Sequence, residues 1–268
     1  MMLSTKARSL LAAFMGIGLA FIYVPLIIVI LNSFNASKTF SWPPSELTLN
    51  WWNKAIVNTG VREALGWSVI AGISATLIAL VLGTALAFAV GRYDFFGREA
   101  ISLLVVLPIS LPGIITGLAL NNAFTQTLGI GTSAFTIIVG HATFCIVIVY
   151  NNAIARLKRL GTSMQEASMD LGANGFTTFR LITLPNISSA LFAGGLLAFG
   201  LSFDEIVVTT FTAGPGIQTL PVWIFNNLFR PNQAPIVNVV AATLIVVSIL
   251  PIYISQRLST DTSSGGRF

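Results

Sequence analysis

Apolar residues fall into six long runs, with polar segments between them. The runs cover about 10–31, 66–90, 100–120, 134–154, 188–211 and 237–256, and each is about the 20 residues that a bilayer core requires of a helix. The first follows Lys6 and Arg8 with no small-x-small cleavage site after it, so it reads as an uncleaved span rather than a removed signal peptide, kinked at Pro25. In the second run Ala75, Ala79, Gly83, Ala87 and Gly91 recur every four residues, as do Ala190, Gly194, Ala198 and Ser202 in the fifth. Such stripes let a neighbouring helix approach the backbone closely. The third run carries Pro108 and Pro112-Gly113 in its middle. Broken helices at membrane depth occur where they face protein or a water-filled cavity, so this run is a simple kink or part of a pathway lining.

The intervening segments read differently. Residues 32–65 are expected to be polar and irregular, with Trp42-Pro43-Pro44 as a turn and Leu49-Asn50-Trp51-Trp52 as an interfacial anchor. Residues 92–99 form a short charged turn, 121–133 an uncharged one, and Gly214-Pro215-Gly216 another. Residues 220–230, with Trp223, Phe225 and Phe229, read as an interfacial helix stopped by Pro231, and 259–268 as a Ser/Thr/Gly-rich tail without fixed structure.

Composition agrees with the runs. Only 9% of the 268 residues are charged and 54% are hydrophobic, against about 25% charged in a soluble domain, so the chain is an all-α integral membrane protein. The single Cys145 excludes an internal disulfide and a cysteine-based metal site. A pI near 9.8 does not indicate nucleic acid, because the positive charge is sorted by loop. With the amino terminus inside, Lys6, Arg8, Arg92, Arg98, Arg156, Lys158, Arg159, Arg180, Arg257 and Arg267 lie on the inner side. Lys38, Lys54, Arg62 and Arg230 lie outside. Ten against four puts both termini and the loop over 155–187 in the cytoplasm.

That loop is a polar segment tethered on both sides by apolar runs. Ser163-Met164-Gln165-Glu166 has capping-box spacing for a short helix, Gly172 is placed to end it in left-handed geometry, and Asn174 can cap a second helix that must stop before Pro185. Met164, Ala167 and Leu171 share a face of the first helix; Phe176 and Phe179 share a face of the second. Two short helices with apolar teeth suit docking into another protein's groove, and equally a loop lying on the bilayer surface.

Glu166-Ala167-Ser168, three residues, Gly172, nine residues and Ile182-Thr183-Leu184-Pro185 together resemble the EAA loop of ABC importer permeases. Ser168 stands where that family usually has Ala, a small-for-small change. Gly140-His141-Ala142-Thr143-Phe144-Cys145, the stretch from Leu201 to Val208, and Phe211-Thr212-Ala213-Gly214-Pro215-Gly216 look like the spermidine/putrescine branch, and the likeness runs over about 23–255. The resemblance implies a type I importer permease of about six transmembrane helices with cytoplasmic coupling helices: one permease domain over 1–268, its core at 66–256 and its coupling loop at 155–187. It implies ATPase coupling through Glu166, Ala167, Ser168, Gly172, Phe176, Ile182, Leu184 and Pro185. It also implies a bacterial inner-membrane location, a pair of cytoplasmic ATPases that hold the ATP and Mg, a second permease subunit, and a binding protein that delivers a small cationic solute such as spermidine or putrescine. No cofactor and no nucleic acid belong to this chain.

The residues support part of this independently. No Gly-Lys dipeptide occurs, hence no phosphate-binding P-loop, and any ATP-driven motor is on a partner. Asp204 and Glu205 are the only acids inside a predicted span, where a central acid costs about 2.5–3.5 kcal/mol on insertion scales. They read either as a cation-attracting part of the path, with Ser202, Pro108 and Pro112, or as a pair satisfied by neighbouring hydroxyls or solvent. His141 is the only histidine and reads as a helix–helix contact or a lone ligand. Two other classes compete. An intramembrane hydrolase using Ser202 and His141 lacks a nucleophile elbow. A proton-coupled secondary transporter of a small amine or amino acid would also use broken helices and a membrane acid pair.

Overall fold

The computed structural model describes residues 4–38 and 43–248. Among them every regular element is helical, with one isolated antiparallel bridge, Asn35 to Leu47. Among the described residues, four helices are long and apolar enough to cross a membrane, and a bent pair makes a fifth candidate span. The sixth expected span begins in α12, Ala234–Ser248. Its remainder, Arg257, Arg267, the tail and Trp42 of the expected turn lie outside the described residues.

The chain divides into two compact units, Met1–Arg62 with Ile224–Phe268, and Glu63–Trp223. In the first, α1 (Thr5–Asn32) runs uninterrupted through Pro25, capped by the Ser4 hydroxyl on the Ala7 amide. Large apolar side chains stand exposed along it, among them Phe14 and Phe21, the surface a lipid-facing helix presents. The segment after it is not irregular throughout. Ala36 N–H donates to Glu46 O and Thr48 N–H to Phe34 O, and α2 (Asn50–Val57) follows. The Trp pair is packed rather than free in the interface: Trp51 is buried and Trp52 stacks on Phe34 at 5.3 Å.

The second unit is built on three mutually packed helices: α3 (Thr59–Arg92), α6 (Ala134–Leu160) and α9 (Leu184–Phe203). α3 starts earlier than its apolar run because the Asn58 side chain caps the Val61 amide. The small-residue stripes are where these helices touch. A methyl group on Gly83 would meet Ile146 O and Val149 Cβ of α6 at 3.0 Å, and one on Gly194 would meet Asn152 Cβ at 3.2 Å. Gly72 lies against Phe199, and Gly195 against Leu80, which closes α3 on α9. Lipid gives apolar helices no hydrophobic reason to associate, so close van der Waals packing must hold them. Ala75, Ala79, Cys145, Val149 and Ala198 make one buried cluster at this junction.

The third apolar run is two helices, α4 (Arg98–Ser110) and α5 (Gly113–Asn122), bent by 106°. Pro112 is the N-cap of α5, so the amide that proline lacks falls where no helical bond is needed. The expected uncharged turn shortens, because helix continues as a π-helical segment, Ala123–Thr127, in which Leu128 N–H reaches back to Ala123 O.

Gly83→Val should lower the thermal midpoint of the purified full chain in detergent, since the contact atom is a backbone carbonyl and overpacking costs about 1–3 kcal/mol. Gly66→Val, with nothing within 4 Å of its methyl position, should change the stability by less than about 0.5 kcal/mol and leave the midpoint nearly unmoved.

Candidate functional site

Two regions of the second unit carry the candidate residues. The first follows α6. Gly161 turns the chain, and α7 (Ser163–Asp170) begins one residue after it, past Thr162. The capping box expected at Ser163 does not form: the helix starts at Ser163 itself, Thr162 precedes it, and the Gln165 and Glu166 amides bond to the Thr162 carbonyl. Helical geometry at Thr162 already supplies the first turn, so no side chain is needed there. Gly172 does close α7 with φ +88°. Ala173 N–H donates to Ser168 O and Gly172 N–H to Met169 O, the paired bonds of a Schellman ending.

Asn174 then caps α8 (Gly175–Thr178), its Oδ1 accepting from the Thr177 amide at 2.8 Å. The second helix does not stop before Pro185. It passes through a π-helical segment, Phe179–Thr183, directly into α9, so that 175–203 is continuous helix. The wider turn places Pro185 in the first turn of the α geometry, where its missing N–H and ring are tolerated.

This arrangement sorts the expected docking residues. Glu166 and Ala167 are exposed, as are Met164, Leu171 at 89% and Phe176 at 73%. Phe179 does not share that outward face; its ring packs edge-on against Phe88 at 5.1 Å. Ser168 is half-buried and its hydroxyl pairs with Thr178 at 3.1 Å. Ile182 and Leu184 are half-buried and Pro185 is exposed. Gln165 Nε2 donates to Thr183 Oγ1 at 2.7 Å and Arg156 Nε to Asn186 O at 3.1 Å. The Gln165 and Ser168 bonds fix α7 against the segment that leads into α9, and the Arg156 bond ties α6 to the first turn of α9. The sequence gives no signal of them, because they join residues 10–30 apart through single polar atoms.

The second region corrects the expected fifth span. α9 ends at Phe203, Asp204 is its C-cap, and a separate α10 (Val207–Thr212) follows. Asp204 and Glu205 therefore sit in a helix break rather than inside a helix. The run Ile206-Val207-Val208-Thr209-Thr210 is wholly β-branched, which weakens helix. The Glu205 carboxylate accepts from the Val208 amide at 2.8 Å, satisfying a donor that the break exposes. Asp204 is exposed and Glu205 half-buried, while Ser202 is only 2% exposed.

His141, fully buried in α6, reaches both sides of this break. Its Nδ1 lies 2.7 Å from Ser202 Oγ and its Nε2 2.8 Å from Thr209 Oγ1. It is thus a helix–helix contact, as one of its two sequence readings held, and the role of Thr209 was not foreseen. The carbonyls left at the end of α10 are also taken: Asn121 Nδ2 donates to Phe211 O at 2.6 Å, and Thr136 Oγ1 to Thr212 O at 2.7 Å.

The two breaks meet. A methyl group on Gly113 would lie 3.4 Å from Val207 Cβ, and one on Gly117 2.7 Å from Phe211. Pro112 therefore stands next to the start of α10, immediately after the acid pair. Pro108 lies one turn earlier in α4, half-buried, with no described contact to the acids. Among the described residues no group of three or more His, Cys, Asp or Glu could hold a metal ion.

Residues 79–262 match the family described as binding-protein-dependent transport system inner membrane component. The chain is 33% identical over 259 residues to the spermidine/putrescine transport system permease protein PotC of Escherichia coli strain K12, covering 96% of this chain and 97% of that protein. It is 33% identical over 252 residues to the putrescine transport system permease protein PotI of the same strain, covering 90% and 89%. A solved bacterial ABC transporter involved in import of the acidic polysaccharide alginate contains a chain of the same fold, with a TM-score of 0.73 at 16% identity over 97% of this chain and 99% of that one. By the extent of these matches, which span the broken helices and the α7–α9 segment alike, the chain belongs to the family of inner membrane components of binding-protein-dependent transport systems, and is a transport subunit.

Proposed function

We propose that the chain is the permease of an ATP-driven importer that passes a small polyamine, spermidine or putrescine in class, through a path lined by Asp204, Glu205, Ser202 and the Pro108–Pro112 break. The observation that carries this is the meeting of two helix breaks with an exposed carboxylate at one of them. A break leaves backbone dipoles and side chains facing a cavity instead of lipid, and an acid beside low-dielectric walls attracts a cation strongly. The names of the relatives point to the same solute class. Family membership disfavours the secondary-transporter alternative, whose energy source would be a proton gradient.

The exposed teeth Met164, Ala167, Leu171 and Phe176, with Glu166 at the start of α7, form the surface that meets a cytoplasmic pair of ATPases, which hold the ATP and Mg. A second permease subunit and an external binding protein complete the transporter. Both termini face the cytoplasm, as the distribution of positive charge requires.

Three outcomes test this reading. Asp204→Asn should reduce uptake of radiolabelled spermidine or putrescine by roughly tenfold at normal membrane abundance, the loss of one charge-assisted contact; unchanged uptake in the Asp204→Asn,Glu205→Gln double variant would show that the pair is structural. Gly172→Val forces a β-branched residue into left-handed geometry at about 1–2 kcal/mol or more, and should leave insertion intact while ATPase subunits are lost on co-purification or hydrolyse ATP without transport. Cysteines at Ser163 and at the exposed Gln218 should differ in labelling of intact cells by an impermeant maleimide, with Gln218→Cys labelled and Ser163→Cys protected.

A further inference from the structure

We propose that His141 is a positioning residue for transport: its ring bridges Ser202 and Thr209 and holds the α9–α10 break in the one geometry that presents Asp204 and Glu205. Its value for transport rests on the path reading given above, whereas the clamp itself rests on geometry alone.

The direction of each bond follows from counting protons. Thr209 has one hydroxyl proton, and it goes to the Glu205 carbonyl at 2.9 Å. Thr209 Oγ1 can therefore only accept from His141 Nε2 at 2.8 Å. A neutral imidazole has one donor and one acceptor nitrogen, so Nε2 carries the ring proton and Nδ1 accepts from the Ser202 hydroxyl at 2.7 Å. The chain of bonds thus runs one way, from Ser202 through the ring and Thr209 to the backbone at Glu205. A side chain buried to 0% exposure with both nitrogens used in this way is fixed in one tautomer and one orientation.

The clamp also draws the two sides of the break together. Bonds of 2.7 and 2.8 Å plus the width of the ring keep the two hydroxyl oxygens within about 8 Å, whereas seven residues of straight α-helix rise about 10.5 Å. The span set by the ring is shorter than that rise, so the bridge favours a chain that departs from the straight helical path between Ser202 and Thr209. That chain is the acid pair with Ile206. Glu205 is then gripped twice, by Thr209 on its carbonyl and by the Val208 amide on its carboxylate, and Asp204 is left exposed. α6 supplies a rigid base for the clamp, because a methyl group on Gly140 would lie 3.4 Å from both Val208 and Thr212 of α10.

His141 is the only histidine, so the full-length permease in lipid nanodiscs, labelled with nitrogen-15 histidine and purified by a tag without histidine, gives one pair of ring signals. The expected spectrum has a protonated Nε2 and a bare Nδ1; Thr209→Val should shift Nε2 and Ser202→Ala should shift Nδ1. A protonated Nδ1, or a ring protonated at both nitrogens at neutral pH, would overturn the proposal. The second measurement follows the break itself, as maleimide reactivity of Asp204→Cys in a Cys145→Ala background. His141→Leu should change that reactivity at least about threefold and lower the maximal rate of spermidine uptake by the complete transporter about tenfold, since two buried hydroxyls lose their partner. His141→Gln, whose amide N–H falls near the Nε2 position, should recover more uptake than His141→Asn, whose amide falls near Nδ1. Unchanged Asp204→Cys reactivity in His141→Leu, or changed reactivity with normal uptake, would refute the positioning role. Should His141→Leu not reach the membrane, the spectra of the native chain and the two hydroxyl variants decide alone. Normal uptake by Asp204→Asn beside the expected spectra would remove the path reading and leave the clamp standing.

Discussion

Within a bilayer every backbone donor and acceptor needs a partner inside the protein, since an unpaired group in hydrocarbon costs several kcal/mol. This constraint decides where the chain is allowed to stop being helical. At the α4–α5 bend, proline removes the donor that would have been orphaned. At the α9–α10 break the exposed Val208 amide is taken by Glu205 and the carbonyls at the far end by Asn121 and Thr136. The start of α11 (Leu220–Asn227) is handled in the same way, with the Leu220 amide bonded to Ser68 Oγ of α3 at 2.8 Å. These hydroxyls and amides bond the backbone where helices end, which makes them structural markers of the breaks as much as candidate ligands.

The same constraint explains what the sequence reveals and what it conceals. Long apolar runs and four-residue stripes follow directly from lipid exposure and close packing, so the spans and the Gly83 and Gly194 contacts are legible. Gly172 and Asn174 are legible because local backbone geometry alone demands those residue types. The α9–α10 break is hidden, because no Gly or Pro lies between Gly200 and Gly214 and its compensation comes from His141, 61 residues away from Ser202. Pro185 misleads for the converse reason: a π-helical segment absorbs it, and a helix that should have ended continues. The Trp51-Trp52 pair misleads too, since aromatic residues suit an interface and a packed interior equally well, and only the neighbouring Phe34 ring decides.

These features connect the two proposed sites mechanically. Residues 175–203 form continuous helix from the root of the docking segment to the last turn before the acid pair, about 40 Å at 1.5 Å per residue. The docking end is braced through Ser168–Thr178 and Gln165–Thr183, and the other end is held through Ser202 to His141. Between them α9 is seated on α6 at Gly194 with side-chain and backbone atoms 3.2–3.5 Å from a notional methyl group. Such contact leaves no clearance for sliding without repacking, because interiors this dense are bistable rather than continuously deformable. A displacement imposed at α7 by the proposed partner would then be transmitted along α9 and α6 as one body. The acid pair and α10 belong to that body as well, because His141 of α6 bonds both sides of the break, at Ser202 and at Thr209. A rigid body that carries, at its far end, the carboxylates proposed to face the solute would be a sufficient physical route from hydrolysis on the proposed partner to a change in the path, and it requires no flexible element within the spans themselves.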